Sequence, residues 1–221
     1  IQAATGKPAL DFMNVGVDPK NKDHFFVTSY GTGVYEFENG TLKHHYHPDN
    51  SILQSAVADV PERYTRTDGA VFDAAGRVWV ENVSDVDNNL VVFMPDGNQK
   101  GVNLYTEQGR YIYYTPSEIC IDNHDARCKW FLSCRSETAV LRWDDGGTPF
   151  DTDDDVLTVR SVFVDQNDQS VAPEFFYTMA QAPNGDIWVG SSAGPIVLEH
   201  SVDFRLSNRY KRLTIKMEDG T

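Results

Sequence analysis

Apolar residues fall in short runs separated by polar turns, and helical spacing at i, i+3 and i+4 is absent throughout. The runs are rich in Val, Ile, Phe, Tyr and Trp, with Gly, Asn, Asp and Pro between them. That is the composition of β-strands joined by tight turns. One pattern recurs four times: an apolar strand, a polar turn, a strand centred on an aromatic residue, a second turn, and another apolar strand. The first copy reads Phe12 to Asp18, His24 to Val27 and Gly33 to Phe37. The second reads Gly69 to Asp73, a turn at Ala74 to Arg77, then Val78 to Val80 and Leu90 to Phe93. The third reads Glu118 to Asp122, Lys129 to Leu132 and Val140 to Trp143. The fourth reads Phe175 to Ala180, a turn at Pro183 to Asp186, then Ile187 to Gly190 and Ile196 to Glu199.

The aligned aromatics are Phe26, Trp79, Phe131 and Trp188, spaced by 53, 52 and 57 residues. A period near ~50 with about four short strands per unit is the signature of propeller blades. The expected fold is all-β, a β-propeller of four blade-like repeats of about 53 residues, with approximate blades 8–60, 61–110, 111–165 and 166–221. All four aromatics are expected in the core, filling the gap between adjacent twisted sheets. Each blade is expected to end in a more polar outer strand, Thr41 to His47 in the first and Arg205 to Ile215 in the fourth. Four blades either close on themselves or form an arc of a larger, seven-bladed type of ring. The chain starts without Met, lacks a signal peptide and stops at Glu218-Asp219-Gly220-Thr221, which favours an arc excised from a longer protein. Such an arc leaves two apolar blade faces that further blades would cover.

Four stretches carry a resemblance. Asn184-Gly185-Asp186-Ile187-Trp188-Val189-Gly190-Ser191 resembles the two-component regulator propeller repeat of Bacteroidetes proteins. Gly31-Thr32-Gly33-Val34-Tyr35-Glu36-Phe37-Glu38-Asn39-Gly40 resembles the blades of PorZ-like propeller proteins. So does the Asp-rich insertion from Trp143 to Asp155, and the closing Glu218 to Thr221 resembles a stretch that precedes further blades in that family. The resemblance implies a longer parent with two propellers and a C-terminal domain. It also implies a place in type IX secretion and in the attachment of cargo to lipopolysaccharide. The repeat is architectural, so it assigns no functional residues.

Composition narrows the partners. Asp and Glu number 33 against 19 Lys and Arg, a net charge of −14, which argues against nucleic acid and anionic membrane surfaces. Protein partners or glycans are compatible with this charge, and the PorZ-like resemblance implies lipopolysaccharide. No apolar run approaches the roughly 20 residues that span a bilayer. The setting that the PorZ-like resemblance implies is extracytoplasmic, in the periplasm or at the outer cell surface.

Four groups have the chemistry of sites. Asp151, Asp153, Asp154 and Asp155 crowd four carboxylates into five positions, and calcium is the ion that would relieve their repulsion. An EF-hand is excluded, because Val156 and Val162 stand where it needs Gly and Glu. His44, His45 and His47 lie on an outer strand, with His45 and His47 on one face and His44 on the other; two imidazoles can start a metal site but need a third ligand. Cys120, His124, Cys128 and Cys134 offer zinc-type ligands at a spacing that matches no common zinc knuckle; one disulfide or three free thiols are the alternatives. Gly190-Ser191-Ser192-Ala193-Gly194 matches the nucleophile-elbow pattern, but a strand rather than a helix follows, so it reads as a blade turn.

The expected function is therefore a non-catalytic binding or scaffolding segment of a secreted or cell-surface bacterial protein. The alternatives are the oligosaccharide-sensing ectodomain of a hybrid two-component regulator and a propeller enzyme of the lyase or lactonase kind.

Overall fold

A computed structural model describes residues 6, 9–83, 88–104, 116–134 and 137–213. Among these residues the chain folds into four four-stranded antiparallel sheets, each built from strands consecutive in sequence. Blade 1 comprises β1 (Phe12–Asp18), β2 (Asn21–Ser29), β3 (Gly33–Glu38) and β4 (Thr41–Tyr46). Blade 2 comprises β5 (Thr67–Phe72), β6 (Val78–Asn82), β7 (Leu90–Phe93) and β8 (Gln99–Val102). Blade 3 comprises β9 (Pro116–Ile121), β10 (Cys128–Ser133), β11 (Ala139–Asp144) and β12 (Val156–Arg160). A two-stranded ribbon, β13 (Phe163–Val164) and β14 (Ser170–Val171), precedes blade 4, which comprises β15 (Phe176–Gln181), β16 (Ile187–Ser191), β17 (Gly194–Leu198) and β18 (Lys211–Arg212). The outer strand expected at Arg205 to Ile215 is thus shortened to β18, and residues from 214 onward, with the closing Glu218 to Thr221, lie outside the described residues.

The first strands of successive blades lie side by side, β1 against β5, β5 against β9 and β9 against β15, as the inner strands of a propeller do. The approach is close enough to need glycine. A Cβ on Gly16 would sit 2.7 Å from the carbonyl oxygen of Ala70. Each first strand also carries an extra residue relative to its partner. In β5 it is Gly69, in β9 Glu118 and in β15 Tyr177; in β1 it falls between Phe12 and Val15. Such bulges bend a strand and re-aim side chains. Gly69 and Glu118 adopt positive φ, 49° and 56°, which is unremarkable for glycine and strained for glutamate.

The core lies between blades in three layers. Phe26 and Val34 of blade 1 meet Val78, Val80, Val91 and Phe93 of blade 2. Trp79 and Val92 on the other side of blade 2 meet Phe131, Leu141 and Trp143 of blade 3. Trp130, Leu132 and Val140 then meet Ile187, Val189, Ile196 and Leu198 of blade 4, with Phe163 of the ribbon filling the same layer. These layers correct two expectations. The residue of blade 3 that faces the next blade, as Phe26 and Trp79 do, is Trp130. Phe131 faces back toward blade 2, since one step along a strand reverses the face. Trp188 is the second correction. It lies on the side of blade 4 away from blade 3, and it is 42% exposed where Trp79 is fully buried.

Trp188 shares its open side with other exposed apolar residues, and the opposite end of the arc is likewise open. Phe175 and Tyr177 are exposed in and beside β15, and Met13, Val15 and Val17 alternate outward along β1. The chain is a partial propeller whose two end blades each present an apolar face.

Candidate functional site

The turn that introduces each aromatic strand explains how the blades are positioned. Asp73 Oδ1 accepts the backbone N–H groups of Ala75 and Arg77, both at 2.9 Å, and its Oδ2 accepts the Trp79 indole N–H at 2.9 Å. Asp122 does the same in blade 3, accepting His124 N at 2.9 Å and the Trp130 indole at 3.0 Å. Asp165 holds the turn of the ribbon through Asn167 N and Gln169 N. In blade 4 the corresponding position is Ala182, and the tryptophan that follows is the exposed one.

Acidic side chains gather near the inner strands. Glu81 of β6 is fully buried, and neither carboxylate oxygen has a hydrogen-bond partner. Burial first, and then the nearby carboxylates of Asp68 on β5 and Glu118 on β9, push its pKa well above the ordinary range. Glu118 reaches across to blade 4, where it accepts Met179 N and, at 3.1 Å, the Thr178 hydroxyl. The bulges at Gly69 and Glu118 alter which side chains meet.

The four aspartates of the insertion lie between β11 and β12. Asp151, Asp153 and Asp154 are exposed, and Asp155 is turned partly inward. Asp154 accepts the Thr148 hydroxyl at 2.8 Å and Asp151 accepts Asp153 N at 3.3 Å. Burial, with Asp145 and Asp154 nearby, raises Asp155 to about 6. Among the described residues no three acidic, His or Cys side chains converge on one point that could hold an ion. Holding calcium here would require these carboxylates to turn toward one another.

The histidines are engaged one by one. His44 Nδ1 lies 3.0 Å from Glu36, which also meets His24 Nε2 at 3.0 Å and accepts the Tyr46 hydroxyl at 2.8 Å. Burial pushes the Glu36 carboxyl up, but the Tyr46, His24 and His44 hydrogen bonds outweigh it and hold the pKa below the ordinary value. His45 donates to the Thr32 carbonyl and stacks on Tyr35 at 4.2 Å, and His47 donates to the Pro61 carbonyl at 3.0 Å. The cysteines are free thiols. Burial raises Cys120 to about 11 and Cys128 to about 12, and Cys134 accepts the Ser117 hydroxyl at 3.1 Å. His124 packs on His200 at 4.4 Å between ring centres. Ser192 accepts Glu174 N and Phe175 N from the turn between β16 and β17, where the hydroxyl closes a loop.

No family model matches the chain, and no curated protein matches it. Solved structures do. PorZ, a bacterial surface component of the type IX secretion system of Porphyromonas gingivalis, matches over 85% of this chain with TM-score 0.72 and 24% identity. The chain spans about a quarter of PorZ, 25% of its length. The extracellular domain of the one component system BT4673 from B. thetaiotaomicron matches over 89% of this chain and 22% of its own, with TM-score 0.54 and 13% identity. A gluconolactonase from Xanthomonas campestris matches over 85% of this chain and 58% of its own, with TM-score 0.56 and 11% identity. Two further propeller enzymes match at 12% and 10% identity. The expectation that the chain is not an enzyme is corrected by these matches. The fold it shares with them carries catalysis as well as binding, so the fold gives no ground for excluding an activity. The chain is a stretch of β-propeller similar in fold to PorZ and to the extracellular domain of BT4673.

Proposed function

We propose that this arc is a binding and scaffolding segment of a bacterial protein that works outside the cytoplasm, in the periplasm or at the outer surface. PorZ, a surface component of type IX secretion, is the relative it follows, so attachment of secreted cargo to lipopolysaccharide is the process it would serve. The observation that carries the reading is the pair of open apolar blade faces, at Trp188 and Tyr177 on one end and Val15 and Val17 on the other. In a chain with net charge −14 these are surfaces for packing against protein, not for staying in water. No helix among the described residues is long and apolar enough to cross a membrane. The reading is tested in the producing bacterium by fractionation and protease shaving of an epitope-tagged native protein, combined with deletion of its gene. Expected are a periplasmic or surface location and loss of cargo from the cell surface on deletion. A cytoplasmic location would overturn it.

A second reading rests on the BT4673 match, which covers 89% of the chain. In that reading the arc belongs to an oligosaccharide-sensing ectodomain. A transmembrane helix and histidine kinase encoded downstream in the same gene would replace the scaffold reading with this one.

A further inference from the structure

Each blade places one residue on β3-type strands directly opposite its forward-facing aromatic. Glu36 stands opposite Phe26, Val92 opposite Trp79, Arg142 opposite Trp130 and Val197 opposite Trp188. Two of these four are charged, and both line clefts between blades. Their charges are met very differently. Glu36 has two imidazoles and a phenol on its oxygens. Arg142 has no comparable shell. Its Nη1 is buried without a hydrogen-bond partner, and its Nη2 donates to the thiol of Cys128. That thiol, pushed up to about 12 by burial, is neutral and offers no compensating charge. The carboxylate of Asp144 stands 3.9 Å from Nη2, beyond hydrogen-bonding reach.

The cleft that Arg142 lines, between blades 3 and 4, has a volume of about 310 Å³. Its apolar wall is formed by Ile187, Leu198 and Phe204. Its acids are engaged elsewhere. Asp122 holds the Trp130 indole and its own turn, Asp125 pairs with Arg127 at 2.7 Å, and Asp203 pairs with Arg205 at 3.1 Å. Glu199 is the remaining carboxylate along the wall, and His200 and Arg209 are the remaining basic groups. Arg142 is thus paired with Asp144 only across 3.9 Å, with no carboxylate hydrogen-bonded to it, and the planar fork of a guanidinium matches the two oxygens of a carboxylate.

We propose that the cleft between blades 3 and 4 binds a small organic carboxylate, up to the size of one sugar-acid ring, with Arg142 as the anchor of the carboxylate group. The hydroxyl-bearing body of the ligand lies along Leu198 and Phe204, toward the polar groups of Ser201, Ser207 and His200. The site is independent of the scaffold reading, since it uses neither end face of the arc.

The test titrates the purified chain with sodium galacturonate, with galactose and with sodium chloride at equal ionic strength, reading tryptophan fluorescence and Tm. Galacturonate is expected to bind saturably, with a Kd on the order of 1 mM, and to raise Tm by several degrees in excess. Galactose and chloride are expected to do neither. Arg142→Gln should weaken binding about tenfold or more. Val202→Trp, which blocks the cleft and leaves the guanidinium in place, should do the same and serves if Arg142→Gln fails to fold. Binding of galacturonate no stronger than of galactose would overturn the proposal, as would undiminished binding in Val202→Trp.

Discussion

Replacing Trp79 with alanine is expected to destabilise the chain by about 3–5 kcal/mol, whereas the same change at Trp188 is expected to cost under about 1 kcal/mol. Both residues sit at the same place in their blades, but only Trp79 has a neighbouring blade packed on it and an aspartate on its indole. Trp79 is fully buried, lies edge-on to Trp143 at 5.8 Å and donates its indole N–H to Asp73. It also carries the Lys129 ammonium 4.7 Å from its ring centre, and Lys129 is paired with Asp145 in the same buried layer. Removing the ring leaves a large cavity and strips that buried ion pair of its apolar cover. Trp188 loses little on truncation because part of it already faces water. Thermal melting of the two variants checks this, with a fall of roughly 10 °C or more expected for Trp79→Ala and of a few degrees at most for Trp188→Ala.

Glu81→Gln is expected to stabilise the chain at pH 8 by about 1–3 kcal/mol and to flatten its pH dependence. The buried carboxyl has no partner, and Asp68 of β5 and Glu118 of β9 repel its charged form. Cys134, beyond β10, is the other titratable group whose pKa responds to these three carboxylates. Since the folded-state pKa lies above the unfolded one, the folded chain keeps a proton that the unfolded chain releases. That contribution to stability is fully present below the unfolded value of 4.5 and is lost as pH rises toward the folded value. The loss approaches about 1.4 kcal/mol per pH unit within that window. Glutamine is neutral at every pH and offers two N–H donors to the neighbouring carboxylates. Tm measured from pH 4 to 9 decides the matter. A glutamine variant less stable than the parent at pH 8 would mean that the Glu81 charge is compensated in the folded state.

The repeat was legible in the sequence because each strand is short, bounded by turn residues and rich in β-branched and aromatic side chains. The inner face of a strand was less legible. At Trp130-Phe131 two adjacent aromatics compete for one alignment, and spacing alone favours Phe131 by a residue. The acceptor in the preceding turn resolves it, since Asp73 precedes Trp79 and Asp122 precedes Trp130, each holding the indole that follows. The absence of such an aspartate before Trp188 was in the sequence too. The acidic group at Asp68, Glu81 and Glu118 was hidden for a different reason. An extra residue in β5 and in β9 breaks the strict alternation on which assignment of faces depends. Arg142 reads as an ordinary exposed strand residue until the third blade is packed on the fourth.

The central claim is that the end faces of the arc are surfaces for other protein. Hydroxyl-radical footprinting, read by mass spectrometry on this chain alone and on the native protein as the cell makes it, tests it most directly. Met13, Tyr177 and Trp188 are expected to oxidise readily in the chain alone and to be protected in the native protein, with Trp79 protected in both. Equal oxidation of Tyr177 and Trp188 in the two forms would contradict the claim.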